Sequence, residues 1–449
     1  MNESLNSFLF STPQMTGIFS PAAQLRAMMR FEWALTRALE SNGLAAHGSG
    51  DALASLLDCA FVNVQQLQQN ARDAGNVAIP FVHQLTAAVK EHNEVAARTI
   101  HLGATSQDVL DTALVLQMRE GLQLLDQALN RLDAALAAQV RAHAETVLSG
   151  RTWLQPGPPT TLGLKLAGTL AALRRDRERT RAAAERALVL EFGGAVGTLA
   201  SLGEAGASVS AELGRILELR VPELPWHTQR DRLVEIVQVL ATLTGTLAKF
   251  ARDIALLMQA EVGEASEEAG DGRGGSSTMP QKHNPVACAA VLALHARMPG
   301  LAGTLLHSMP QEHERGLGMW QAEWETVPQA FQFAAAALAY SIELAEGLRV
   351  NADRMQANFE CLRGTTMAEA VSATLAAKIG RAAAHGLLRA AAERANTENR
   401  HLRDVLKGCP EIVTHLSPDD IDRLMNPREY LGSAQRFIAA VLGGADAVP

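Results

Sequence analysis

At 449 residues, 47% of them hydrophobic and 20% charged, the chain has enough apolar side chain for two or three packed domains, which excludes intrinsic disorder. Asp plus Glu number 48 against 40 Lys plus Arg, giving a net charge of -8 with no basic block, so nucleic acid is excluded as the expected partner. The four cysteines, Cys59, Cys288, Cys361 and Cys409, lie too far apart for a C-x-x-C zinc or redox pair, and a reducing cytoplasm is the expected location.

Residues 1–14 have no basic stretch leading into an apolar core, so no secretory signal is expected. Only 4% of residues are aromatic, and long stretches are built from Ala, Leu, Arg, Glu and Gln, which lose little conformational freedom in a helix; the expected fold class is all-α. Up to residue 108, short helices are broken at Ser11-Thr12-Pro13, Asn42-Gly43, Gly48-Ser49-Gly50 and Ile79-Pro80, the texture of a small N-terminal helical domain, 1–108. From Leu114 through Met118, Leu122, Leu125, Leu129, Leu132, Leu136, Val140 and Val147, apolar residues recur at three- and four-residue steps. This predicts one helix running to Ser149-Gly150, about 60 Å long at roughly 1.5 Å per residue. Similar patterns cover 231–262, 160–190, 286–308 and 322–348, so that 109–350 reads as an elongated five-helix bundle. Short helices resume in a C-terminal domain, 351–449, making three helical domains. The apolar stripes of the bundle are wider than one chain covers easily, which predicts a homo-oligomer. The charge-free apolar run 236–248 falls short of the roughly 20 residues a bilayer needs, so no membrane span is expected.

Four connections carry dense polar residues. His101-Leu102-Gly103-Ala104-Thr105-Ser106-Gln107-Asp108 reads as a glycine turn and an N-cap, and a helix N-terminus with hydroxyls also suits a carboxylate. Residues 150–159, with Thr152, Trp153, Gln155 and three prolines, read as a rigid turn before a helix. Residues 263–285 open acidic, turn glycine-rich and end Ser276-Ser277-Thr278-Met279-Pro280-Gln281-Lys282-His283-Asn284-Pro285; a connection this long between long helices reads as a binding loop or lid. It lacks the spacing of a P-loop. Gln311-Glu312-His313-Glu314-Arg315-Gly316 has no second histidine at metal-ligand spacing, so no metal is expected there and Arg315 is the candidate grip on a carboxylate. His227, just ahead of the 231–262 helix, reads as a turn or cap residue.

Residues 275–285 match the G-S-S-x-M-P-x-K-x-N-P signature of the fumarase/aspartase superfamily at every fixed position, and Thr105-Ser106-Gln107-Asp108 with Asp111-Thr112 resembles its first motif. Within that superfamily, Thr152-Trp153-Leu154-Gln155-Pro156, 193–198, 226–231 (with Gln229), 312–315 and 427–434 resemble the bacterial 3-carboxy-cis,cis-muconate cycloisomerase family. The resemblance spans nearly the whole chain. It implies a tetramer with active sites shared between subunits, a small tricarboxylate substrate, no metal and no organic cofactor. It implies Ser276 as general base, with Thr105, Ser106, Gln107, Thr152, Trp153, Gln155, Gln229, Lys282, Asn284 and Arg315 binding substrate. His101, His227 and His283 are the histidines able to replace an absent general acid, and His101, beside the first motif, is the one assigned to catalysis.

One position departs from the superfamily: Trp153 stands where the fumarases and nitrogen-eliminating lyases have histidine. That histidine assists a poor leaving group. A carboxylate leaving group, whose acid has a pKa near about 4, needs no such help, which favours lactone chemistry over the alternative, an adenylosuccinate- or argininosuccinate-type lyase. A catalytically silent scaffold protein is the third reading, opposed by the intact Ser276, Lys282 and Asn284.

Overall fold

The computed structural model describes residues 5–268, 274–275, 279 and 282–443. Five long helices account for most of the middle of the chain. Naming only the elements used below, α1 is Pro21–Ser41, α2 Ser106–Ala142, α3 Leu162–Ala187, α4 Asp231–Leu257, α5 Val286–Ser308 and α6 Met319–Glu346. A two-stranded antiparallel hairpin, β1 (Val147–Thr152) and β2 (Gln155–Thr161), lies between α2 and α3. The all-α class and the five long helices expected from periodicity are present.

The chain forms two compact units, each assembled from three stretches: 1–128, 176–245 and 293–339 in the first, and 129–175, 246–292 and 340–449 in the second. Helices α2 to α6 therefore each contribute residues to both units.

In the first unit, α2 buries Leu110, Val115, Met118, Leu122 and Leu125, and α4 buries Leu233, Val237, Leu240 and Leu243. Side-chain pairs tie α2 to its neighbours: Arg177 and Arg181 of α3 both reach Asp126, and Gly121 faces Phe331 of α6 so closely that a Cβ there would sit 2.8 Å from the ring. Glycine in a helix interior costs about 1 kcal/mol relative to alanine; here it admits the aromatic ring.

In the second unit, Arg174 of α3 pairs with Asp133 of α2, and Arg131 of α2 with Glu346 of α6. A separate apolar cluster, including Phe359, Val371, Leu375, Leu388, Leu402 and Ile421, holds the short C-terminal helices.

Two expectations are corrected here. The helix that begins α2 stops at Ala142 rather than continuing to Ser149-Gly150, because Val147, Leu148 and Ser149 pair with Thr161, Thr160 and Pro159. The 150–159 segment is the hairpin itself, not a turn into a helix. Pro156, Pro158 and Pro159 cannot donate ladder hydrogen bonds, which restricts β2 to an edge and made it read as a turn. Trp153 and Leu154 form its two-residue tip with φ of 54° and 62°, the left-handed conformation of a type I′ turn that usually takes Asn-Gly.

By length and composition α4 and α5 are apolar enough to cross a membrane, but 56% of the most apolar stretch of α4 is buried within the chain, while only 33% of that of α5 is. Leu243, fully buried on α4, is expected to cost about 2–5 kcal/mol on replacement by alanine, read as a shift in urea midpoint.

Candidate functional site

The first unit gathers His101, Thr105, Ser106, Gln107, Gln229 and Arg315; the second holds Thr152, Trp153, Gln155, Lys282 and Asn284. Ser276 lies outside the described residues.

The first-unit site is built around the start of α2. Asp108, in the first helical turn, accepts the Thr105 N–H at 2.9 Å and so caps its own helix from within. It also accepts the Gly193 and Gly194 N–H groups at 3.0 and 2.9 Å and His227 Nε2 at 2.7 Å. Glycine is required at 194, where φ is 68° and a Cβ would lie 2.8 Å from the Gly103 carbonyl oxygen. The remaining first-turn N–H groups of α2, beside the Thr105 and Ser106 hydroxyls, suit an anionic oxygen.

Gln107 is fully buried. Its amide nitrogen donates to the His227 carbonyl at 2.7 Å and to Asp111 at 3.1 Å, which turns its oxygen toward Arg315, whose Nη1 donates to it at 3.3 Å. Arg315 also donates to the Ala195 carbonyl at 2.9 Å. Both partners are neutral. Among the described residues no carboxylate pairs with Arg315, so its guanidinium keeps an uncompensated positive charge, half-exposed at the site.

Two further arginines beside the motifs, Arg230 and Arg151, are spent on carboxylates. Arg230, fully buried, pairs with Asp111 (2.7 Å) and Glu323 (2.5 Å), with the Trp226 ring 4.8 Å from its guanidinium carbon. Burial pulls its pKa down, but Asp111 and Glu323 outweigh that and raise it; burial raises the carboxyl of Glu323 despite Arg230. Trp320 Nε1 and Gln311 Nε2 donate to the same two carboxylates. In the second unit Arg151 makes two hydrogen bonds to Glu264, itself buried and also bonded to Asn358.

His101 Nδ1 stands 2.6 Å from Glu32, a buried carboxylate on α1 that also accepts the His101 backbone N–H. Burial lowers the pKa of the imidazole, but the charge and hydrogen bond of Glu32 more than reverse this, so it is raised. Gln229 is exposed on the turn ahead of α4. In the second unit Thr152, Trp153 and Gln155 lie exposed at the hairpin tip, Trp153 at 98%. Lys282 is exposed, and Asn284 donates its backbone N–H to the Gly274 carbonyl at 2.8 Å. Two acidic residues near the start of the 263–285 loop are occupied: Glu267 accepts the Ala287 and Cys288 N–H groups at the start of α5, and Glu268 pairs with Arg349.

Sequence reasoning overlooked Glu191, Glu323 and the buried role of His227. Glu191 alone left a signal, a lone acid in the otherwise apolar run Leu188-Val189-Leu190-Glu191-Phe192. The two kinds of arginine separate in stability measurements. Arg230→Met, which strands two buried carboxylates, is expected to cost about 3–5 kcal/mol, whereas Arg315→Ala should cost less than about 1 kcal/mol in the same urea titration.

A family model described as "Lyase" matches residues 7–300, and one described as "Adenylosuccinate lyase C-terminus" matches 364–441. The chain is 48% identical to a 3-carboxy-cis,cis-muconate cycloisomerase of Pseudomonas aeruginosa, over 98% of this chain and 96% of the relative. The crystal structure of 3-carboxy-cis,cis-muconate lactonizing enzyme from Pseudomonas putida superposes with a TM-score of 0.94 at 45% identity, covering 98% of each chain. That of β-carboxy-cis,cis-muconate cycloisomerase from Acinetobacter calcoaceticus gives 0.93 at 40% identity, covering 98% of this chain and 100% of the other. With Ser276-Ser277-Thr278-Met279-Pro280 in its sequence and this fold over its full length, the chain belongs to the lyase family of the fumarase/aspartase superfamily, in its 3-carboxy-cis,cis-muconate cycloisomerase branch.

Proposed function

We propose that this protein converts 3-carboxy-cis,cis-muconate to 4-carboxymuconolactone, a step of protocatechuate catabolism through β-ketoadipate, in the cytoplasm and without metal or organic cofactor. The observation that carries this reading is Arg315, held by two neutral carbonyls with its charge unspent in a protein of net charge -8. A substrate with three carboxylates needs such a charge, and Arg151 and Arg230 are already committed.

One substrate carboxylate adds to the ring-closing carbon, forming the lactone C–O bond. The displaced π electrons move into the neighbouring carboxylate as an aci-carboxylate dianion. A proton delivered to the adjacent carbon, from Ser276 or its proton chain, completes the product. Lys282, Asn284 and Arg315, with Thr105, Ser106 and the start of α2, are assigned to the substrate carboxylates; stabilising the dianion is the largest contribution they make. Gln107, whose amide hydrogens are both donated within the protein, acts on substrate through the aim of Arg315. Thr152, Trp153, Gln155 and Gln229 complete the substrate contacts. His101, paired to Glu32, is assigned to proton transfer beside the Thr105 motif.

The active form in this reading is a homotetramer with sites shared between subunits. Two features support it. Trp153 and Leu154, 98% and 72% exposed, stand in positive-φ positions at the hairpin tip, a costly conformation for bulky residues that repays its cost when the tip is covered. In α5 the buried stripe, Ala287, Val291, Leu294, Met298, Ala302 and Leu305, leaves an apolar flank that includes the exposed Leu306.

Purified protein mixed with 3-carboxy-cis,cis-muconate in a chelator is expected to abolish the diene absorbance, while adenylosuccinate in a parallel cuvette stays unchanged. Ser276→Ala should remove nearly all of that activity; full activity in this variant sinks the assignment of the base. Replacing Trp153 and Leu154 together by Asn-Gly, which relaxes the turn and removes the apolar tip, is expected to keep the monomer fold but lower activity. Unchanged kcat and KM in that variant would remove the tip from the shared site.

A further inference from the structure

One buried cluster in the first unit leaves a carboxylate oxygen unaccounted for. Asp108 accepts four hydrogen bonds, two on each oxygen: Gly193 N–H and His227 Nε2 on Oδ1, Gly194 N–H and Thr105 N–H on Oδ2. That fills its ordinary accepting capacity. Glu191, wholly buried, accepts the Trp226 N–H on Oε2 at 2.6 Å. Its Oε1 lies 3.1 Å from the same His227 Nε2 but makes no hydrogen bond. Nε2 carries one hydrogen at most, and the 2.7 Å contact to Asp108 takes it.

Charge makes an anion at Glu191 harder still. The charged and titratable groups facing it are Asp108 and Asp111 from α2, His227 and Arg230 from the connection before α4, and beyond Arg230, Glu323 of α6. Arg230 already serves two carboxylates. Burial, then the charges of Asp108 and Asp111, hold the Glu191 carboxyl well above the usual carboxylate range.

We infer that Glu191 is a positioning residue that works as a neutral carboxylic acid, packed against the buried Asp108–His227 pair. By keeping His227 against Asp108, this acid sets the three connections that carry Thr105, Ala195 and the His227 carbonyl. Those hold Gln107 and Arg315. The same three side chains offer ligand atoms within 4.8 Å of one another, a spacing that also suits a metal ion. However, three backbone N–H groups already occupy the Asp108 oxygens, and His227 Nε2 takes the fourth place. The positioning role rests on the proposed carboxylate-binding site; the protonation state does not.

The test uses the full-length protein and two variants. Glu191→Leu removes the acid, and Glu191→Gln imitates its neutral form. In the muconate assay, Glu191→Leu is expected to raise KM about tenfold with a smaller change in kcat, and Glu191→Gln to restore most of that loss. Infrared spectra at neutral pH should show a protonated-carboxyl C=O band in the wild type that Glu191→Gln lacks. Because the folded protein holds this proton more tightly than the unfolded chain, stability falls as pH rises from the ordinary carboxylate range through the pKa of Glu191. The fall should be shallower in Glu191→Gln. A Gln variant as impaired as the Leu variant, or no band lost at neutral pH, overturns the inference, as does a stoichiometric metal in the wild type that Glu191→Gln releases. If muconate is not turned over, the proposed function fails, while the infrared and pH arms still decide the protonation state. Should Glu191→Leu not fold, those two arms on Glu191→Gln suffice.

Discussion

Four donors from three separate connections converge on the Asp108 carboxylate, and the order of the first-unit site follows from that geometry. A buried N–H without a partner is costly, so Gly193 and Gly194 cannot leave Asp108 without finding another acceptor in a dry environment. Their loop carries Ala195, whose carbonyl holds one side of Arg315. The start of α2 carries Gln107, which holds the other. A short side chain in a helix first turn thus fixes a cation that is remote in the sequence.

A protein of net charge -8 that binds a polyanion must ration its cations by position. Arg230 is committed to organisation: fully buried between Asp111 and Glu323, it joins α2, α6 and the turn before α4. Such a pair adds little net stability compared with apolar packing, yet losing one partner strands a buried charge. Arg151 is committed to Glu264 in the same way. Arg315 differs because its partners are carbonyl dipoles, which orient a guanidinium without neutralising it. Orientation without neutralisation is what a carboxylate-binding group requires.

Legibility in the sequence depended on the range of each signal. The five long helices were legible because an apolar residue every three or four positions is local information and α4, α5 and α6 carry it without ambiguity. The end of α2 was not legible, because Val147 continues the helical spacing although its backbone pairs with Thr161. The hairpin was hidden by its prolines, which mark a turn as readily as an edge strand. In the first unit, Thr105, Ser106, Gln107 and Arg315 are candidates that the motifs name, whereas the burial and pairing of Arg230 and the burial of Glu191 were not legible. An arginine in a sequence carries no mark of whether a carboxylate across the fold has claimed it.

Composition, helical period and the motif at 275–285 determined by themselves the all-α class, the family and a short set of candidate residues, because these depend on local propensity and on residue identity at fixed spacing. Only the tertiary structure decided which charges remain available, which acids are buried, and that the segment with Trp153 and Leu154 is a strained, exposed hairpin tip. Those properties depend on distance and burial between residues about one hundred positions apart, such as His227 and Asp108, which sequence order does not encode.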